Sequence, residues 1–377
     1  MKRFALGAIA LAAGSISTSV LAQSSVTLYG FVDTGIGYVH NSGGSATQVA
    51  MISGSTAGSR WGLKGAEDLG GGTQAVFQIE NGFDPASGQL GQGGRMFGRQ
   101  AYVGLSDKRL GTLTLGRQYD PIVDLVQPIT GDNYFGAIFA PPGDFDNYDN
   151  SVRINNSVKW ASPSWSGLNV EAMYSFGGVA GTVGSGQTYS AAASYNTGSL
   201  SFAGGFMHID YGNASFVTRP SSSADSLFNS AVNAAYASAR SVNSARVGAQ
   251  YVVSSVTVGA AYSFTEYNPD SVSSFHSSEK YNNGSVFGVW QATPAFSLGL
   301  GYNYTKTSGD SSATYHEVSA GASYSLSKRT TLYLVGGYTH AAGENGTGNA
   351  QAVVGSYDIN SGRSSQAIVI AGLRHGF

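Results

Sequence analysis

Charged residues are so scarce in this chain that each one needs a reason. Only 11% of its 377 residues are Asp, Glu, Lys or Arg, against ~25% in an ordinary soluble domain. Yet four arginines, Arg60, Arg99, Arg117 and Arg153, stand at positions that read as strand, and the stretch 120–150 carries Asp120, Asp124, Asp132, Asp144, Asp146 and Asp149. Fixed charges of both signs can attract or repel an ion and turn a dipole. They do not make or break bonds unless a nucleophile, a base and an orienting acid converge, and no such set is visible, so no catalytic residue is expected. The six His are dispersed without a His-x3-His pair, and there is no Cys, which excludes disulfides and the common zinc spacings. The run Asp144-Phe145-Asp146-Asn147-Tyr148-Asp149-Asn150 resembles a calcium loop but lacks the Gly and Glu that such a loop needs at its sixth and twelfth positions. No metal and no cofactor are expected. A net charge of -2 leaves no basic surplus for nucleic acid.

The elements that would position these charges alternate with a step of two. In Val256–Thr265 the even positions are Val256, Val258, Ala260, Tyr262 and Phe264; in Phe296–Thr305 they are Phe296, Leu298, Leu300, Tyr302 and Tyr304. Leu168–Phe176, Leu200–Phe206 and Val318–Leu326 repeat the pattern. Such alternation means strands with one apolar and one polar face. Within the apolar face, aliphatic residues come first and Tyr or Phe last. A lipid-facing strand should be sorted in this way, because aromatic residues settle at membrane interfaces, and a sandwich core gives no reason for it. The opposite face holds Gly, Ser, Thr, Asn and Ala rather than Lys and Glu, as a wall around confined water would. The chain is therefore expected to be inside out, and the four arginines should face the lumen, since Arg at mid-depth in lipid costs ~2–4 kcal/mol.

Strands are expected at about 25–38, 58–66, 72–82, 96–106, 112–119, 151–161, 167–177, 187–196, 199–210, 244–253, 256–267, 282–292, 295–306, 315–325, 330–340 and 365–377. These make an all-β fold: a 16-stranded antiparallel transmembrane β-barrel, which must close because an open edge in hydrocarbon leaves backbone groups unpaired. Short connections alternate with long ones at about 39–57, 83–95, 120–150, 211–243, 268–281 and 341–364. Residues 221–244 are rich in Ser and Ala and read either as a short helix (Leu227, Val232, Tyr236) or as a mobile loop. Sixteen strands leave room for an aqueous channel. At the N-terminus, Lys2-Arg3, the apolar Phe4–Ala13 and Val20-Leu21-Ala22 before Gln23 have the layout of a secretory signal peptide over 1–22, leaving 23–377 as one barrel domain. Past it no apolar run reaches the ~18 residues of a spanning helix.

Four stretches resemble the general trimeric porins of Gram-negative bacteria, the betaproteobacterial type most closely: Leu28-Tyr29-Gly30-Phe31-Val32-Asp33, the segment from Ser59-Arg60-Trp61 to Asp68-Leu69-Gly70, Gly98-Arg99-Gln100-Ala101-Tyr102-Val103-Gly104-Leu105, and Leu113-Thr114-Leu115-Gly116-Arg117-Gln118. The ending Gly372-Leu373-Arg374-His375-Gly376-Phe377 is similar to that family's C-terminus. The resemblance implies a homotrimer in the outer membrane, surrounded by lipid and lipopolysaccharide, with Phe377 read by the barrel assembly machinery. It also implies a third loop, here about 120–150, folded into the barrel. The apolar content of that stretch (Ile122, Val123, Leu125, Phe135, Ile138, Phe139) independently suits an inward loop. By motif position the resemblance puts Arg60, Arg99, Arg117 and Arg153 on the basic wall of a constriction, with Asp120 and Asp124 the acids expected to face it. The family's Pro-Glu-Phe-Gly loop motif is absent, which leaves the sign of ion preference open. Small hydrophilic solutes would pass by diffusion. A substrate-specific channel of the same fold, an outer-membrane enzyme and a soluble adhesin are the alternatives.

Overall fold

Residues whose side chains point alternately to opposite sides can form a wall between two solvents, and these do. The computed structural model describes residues 25–212 and 226–377; the expected signal peptide and part of the 211–243 connection lie outside them. Seventeen extended segments follow one another: β1 (Ser25–His40), β2 (Thr47–Ser53), β3 (Arg60–Gly70), β4 (Thr73–Gly82), β5 (Gln100–Asp107), β6 (Gly111–Gln118), β7 (Ile154–Ala161), β8 (Leu168–Ser175), β9 (Thr188–Asn196), β10 (Leu200–Asp210), β11 (Ser241–Val253), β12 (Val256–Asn268), β13 (Glu279–Thr293), β14 (Phe296–Ser308), β15 (Ser312–Ser325), β16 (Thr330–Glu344) and β17 (Ser365–Gly376). All pairings are antiparallel, and β1 closes on β17 from Phe31↔Gly376 to His40↔Ala367. β2 pairs with Thr34–His40 of β1 and β3 with Ser25–Phe31, so the two are halves of one interrupted strand and the closed barrel has sixteen strands. The connection expected at 39–57 is therefore shorter than its sequence suggests. The ladder resumes at Thr47 and breaks again only between Gly54 and Ser59.

The register sorts side chains by face. Val258, Tyr262, Leu298, Leu300 and Tyr302 are exposed on the outside, while Ala261, Ser263, Thr265, Asn303 and Thr305 between them are buried within. The expected orientation holds. The aromatic sorting holds too: Tyr262, Tyr302, Tyr304 and Tyr338 lie toward the long-loop rim, and Tyr195, Tyr251, Trp290 and Tyr324 toward the short-turn rim. No helix among the described residues is long and apolar enough to cross a membrane, and the wall crosses with strands instead. Leu300, 67% exposed, sits between these belts. Leu300→Arg should lower folding stability in lipid vesicles by ~2–4 kcal/mol, measured by denaturant titration. An unchanged midpoint would mean that this face does not meet hydrocarbon.

The lumen is not uniformly wet. Phe135, Ile138, Phe139, Phe287, Val335, Val354 and Ile370 form one buried apolar cluster, and Val126, Phe145, Leu227, Val232, Tyr236, Tyr267, Tyr281 and Tyr315 belong to a second. Together they fill the side bounded by β10–β17. The inner-face glycines there, expected to line water, are mostly sockets. A Cβ at Gly299 or Gly321, register partners across β14 and β15, would stand 2.1 and 2.3 Å from the Phe135 ring, and one at Gly301 would stand 2.7 Å from Phe139. In the 211–240 connection the described residues form one 3-10 turn, Ala234–Tyr236. Leu227, Val232 and Tyr236 are buried, so this part packs into the barrel rather than waving in solvent.

Candidate functional site: a charged constriction

The water that the apolar half excludes is left on the side of β1, β3, β5 and the start of β7. There a cavity of about 630 Å³ is bounded by the inward loop on one side and by Arg60, Arg99, Arg153 and Arg374 on the other. The loop is held across the barrel by the Phe135 and Phe139 sockets. It is also pinned by Ser319 Oγ donating to the Ile138 carbonyl at 2.6 Å and by Asn303 Nδ2 donating to the Phe139 carbonyl at 3.3 Å. The loop opens with Asp120-Pro121, a capping acid followed by proline at the first helical position, and this starts the short helix Pro121–Leu125.

The arginines are fixed by one another's partners. Arg99, just ahead of β5 and 6% exposed, donates from Nε to Glu80 Oε1 at 2.8 Å and from Nη2 to the Tyr119 hydroxyl at 2.6 Å. Arg153 reaches the same hydroxyl at 3.4 Å and donates to Asn150 Oδ1 at 2.9 Å. Tyr119 thus lies between two guanidinium groups, 5.8 and 5.1 Å from its ring centre, a cation–π arrangement. Arg60 stands 4.0 Å from Glu80 and over the Phe31 ring. With several donors apiece in a rigid fork, each guanidinium can be held by the wall and still present an N–H edge to water.

Arg117 departs from the expected lumenal position. It follows outward Leu113 and Leu115 in the alternation of β6 and pairs with Ala101 on the same face as Val103 and Leu105, whose side chains point outward. It donates to the Gly98 carbonyl at 2.8 Å and to Asn155 Oδ1 at 2.7 Å, so it ties neighbouring segments together and does not line the cavity. Asp120 departs as well. Fully buried, it accepts from the amides of Ile122 and Val123 and from Asn147 Nδ2, as a helix cap does. Asp124 does line the cavity, in an ion pair with Lys159 of β7, whose ammonium also lies 3.9 Å from Glu171.

Two further loop acids, Asp132 and Asp149, line the cavity. Burial pushes both carboxyls up to about 7. Asp144 and Asp146 lie deeper: Asp144 accepts from the amides of Asp149 and Ser151, and Asp146 pairs with buried Arg246 at 3.7 Å. The calcium-like run therefore spends these two carboxylates on its own turn and on Arg246.

Sequence reasoning missed Glu80, Tyr119, Arg246 and Arg374. Glu80 shares its inward parity with Gln78 in a strand that was expected, and Arg374 alternates with inward Ile368 and Ile370. Strand parity joined to the scarcity of charge could have found both.

The Gram-negative porin family model matches residues 5–345. An outer membrane porin protein of Bordetella pertussis is 39% identical over 197 residues, covering 47% of this chain and 48% of that protein. Outer membrane porin protein 32 of Delftia acidovorans is 35% identical over 176 residues, covering 45% and 48%. These matches take in about half the length of the curated relatives. Among solved structures, the anion-selective porin from Comamonas acidovorans superposes with a TM-score of 0.73 at 23% identity, over 94% of this chain and 100% of that one, a likeness of fold.

Proposed function

The chain belongs to the Gram-negative porin family, and on that premise we propose that it forms a water-filled channel in the outer membrane, through which ions and small hydrophilic solutes diffuse passively and anions pass more readily than cations. The observation that carries this reading is the cavity rim. Arg60, Arg99, Arg153 and Arg374 face it, whereas Glu80 is taken up by Arg99, Asp124 by Lys159, and Asp132 and Asp149 ionise only near neutrality. At ~7 Å and an effective dielectric of about 20, one uncompensated charge is worth ~2 kcal/mol to a passing ion. That biases passage without binding tightly enough to stop it. One solved structure similar to this chain in fold is described as anion-selective. The mechanism is electrostatic selection and diffusion, with no bond made or broken and no cofactor used.

Three copies are proposed to assemble through the side carrying β4–β6. Its outward Val103, Leu105, Leu113 and Leu115 offer aliphatic packing without the tyrosine belts found elsewhere on the barrel. Lipid and lipopolysaccharide would surround the rest. Phe377 is exposed and its backbone pairs reciprocally with Gly30 at 3.1 Å, which leaves the ring outside for the assembly machinery to read.

The reading is tested in planar bilayers, where purified protein should give stepwise ohmic conductance with a reversal potential on the chloride side. That potential should also depend on pH. Below about 7 the carboxyls of Asp132 and Asp149 are neutral and above it they are charged, so anion preference should be larger at pH 5 than at pH 9. Asp132→Asn with Asp149→Asn should flatten the profile. A wild-type profile flat over this range would remove these two acids from the eyelet.

A further inference from the structure

The interrupted strand gives the channel a second wall. We propose that Gly54–Ser59, where the chain leaves the barrel between β2 and β3, forms a face of the eyelet adjoining the inward loop, that Asp33 holds it there, and that it sets the largest solute admitted. This rests on the channel reading above and adds to it a size-determining element that the arginines do not supply.

Six residues that leave a ladder need other partners, and one residue, Asp33, supplies most of them through its carboxylate and its backbone. Asp33 of β1 is fully buried. Its Oδ2 accepts from the Thr56 amide at 2.9 Å, the Thr56 hydroxyl at 2.8 Å and the Ala57 amide at 2.7 Å, while Oδ1 accepts from the Tyr333 hydroxyl at 2.6 Å. The Asp33 backbone takes in both ends of the segment, accepting from the Gly54 amide at 2.9 Å and exchanging hydrogen bonds with the Ser59 hydroxyl at 2.9 and 3.0 Å. An ionised carboxylate only accepts, so four donors converging on it make a tight clamp of charge-assisted bonds.

The far side of the segment meets the loop. Ser55 is fully buried, its carbonyl accepts from the Ala137 amide at 3.1 Å and its hydroxyl lies 2.5 Å from that of Tyr357. Gly136, at φ +72°, passes so close that a Cβ there would stand 2.1 Å from the Ser55 carbonyl oxygen. Between these fixed ends Thr56, Ala57 and Gly58 border the cavity. A Cβ on Gly58 would come 3.0 Å from Arg99 Nη1, so the bare backbone lets the guanidinium edge reach the water.

The chain contains no cysteine, so Thr56→Cys creates a single reactive site. In planar bilayers the conductance step of Thr56→Cys is recorded before and after reagent. A methanethiosulfonate bearing a sulfonate should then reduce each conductance step by roughly half or more, because the constriction governs passage, and move the reversal potential toward cations. A trimethylammonium reagent should also reduce the step but keep the anion preference. Failure of the thiol to react in open channels, or reaction without change in conductance, would overturn the proposal while leaving the channel reading intact. Absence of channels from the wild-type protein would instead count against the channel reading. Asp33→Asn provides an independent arm. It turns an acceptor into a partial donor facing other donors, so proteoliposomes should admit larger uncharged sugars than wild type admits. A lower melting temperature with an unchanged sugar limit would assign Asp33 to stability alone and contradict its positioning role.

Discussion

Gly321→Val should release the inward loop. The added side chain would start 2.3 Å from the Phe135 ring, against a wall whose partner position, Gly299, is just as close on the other side. The ring has nowhere to move, because it stacks on Phe139 at 5.2 Å and is itself 1% exposed. Overpacking of this kind costs ~1–3 kcal/mol when neighbours can adjust. Here the easier adjustment is for the Phe135 turn of the loop to move, since Gly321 is fixed in the ladder on both sides. The expected result is a larger single-channel conductance, a weaker anion preference and a barrel that still melts as a unit. Phe135→Ala should give the same electrical outcome from the opposite side, with a packing loss of about 3–5 kcal/mol. Wild-type conductance in both variants would show that the loop does not depend on these sockets.

Arg99→Ala should shift the reversal potential toward cations by more than the loss of one charge. Removing Arg99 also leaves Glu80, buried and bonded to it at 2.8 Å, with Arg60 at 4.0 Å as its remaining cation. A carboxylate left with the longer Arg60 contact alone favours cations nearby while the missing guanidinium no longer attracts anions. Breaking a buried pair by removing one partner costs about 3–5 kcal/mol, so the melting temperature should fall as well. Arg99→Ala combined with Glu80→Gln removes one charge of each sign. It should recover much of the lost stability and return the potential toward the wild-type value. If the double variant selects like the single one, the effect of Arg99 is not electrostatic.

The fold was legible because a wall between lipid and water leaves a mark at every second residue. Val258, Tyr262, Leu298 and Tyr302 could be oriented from spacing and type alone. The strand break was not, because Gly54-Ser55-Thr56-Ala57-Gly58-Ser59 reads as ordinary turn sequence and Thr47–Ser53 is too short to stand out beside it. The glycine sockets were hidden for a related reason. Gly299, Gly301 and Gly321 carry no side chain, so nothing in the sequence says whether water or a phenyl ring occupies the space they leave. Among the site residues, the cost of a charge in lipid argued for a lumenal Arg60, which does reach the cavity, but it misled at Arg117, which shares the parity of outward Leu113 and Leu115 and finds its partners in Gly98 and Asn155. Asp120 was legible as a helix cap from the proline that follows it, but the scarcity of acids gave it the look of a channel charge.

The most direct test of the account is the reversal potential of wild-type protein in a planar bilayer separating high from low potassium chloride at pH 7. Stepwise channels should appear, with a zero-current voltage toward the chloride equilibrium potential. A stable zero-current voltage on the potassium side, or folded barrels that carry no current, would contradict it.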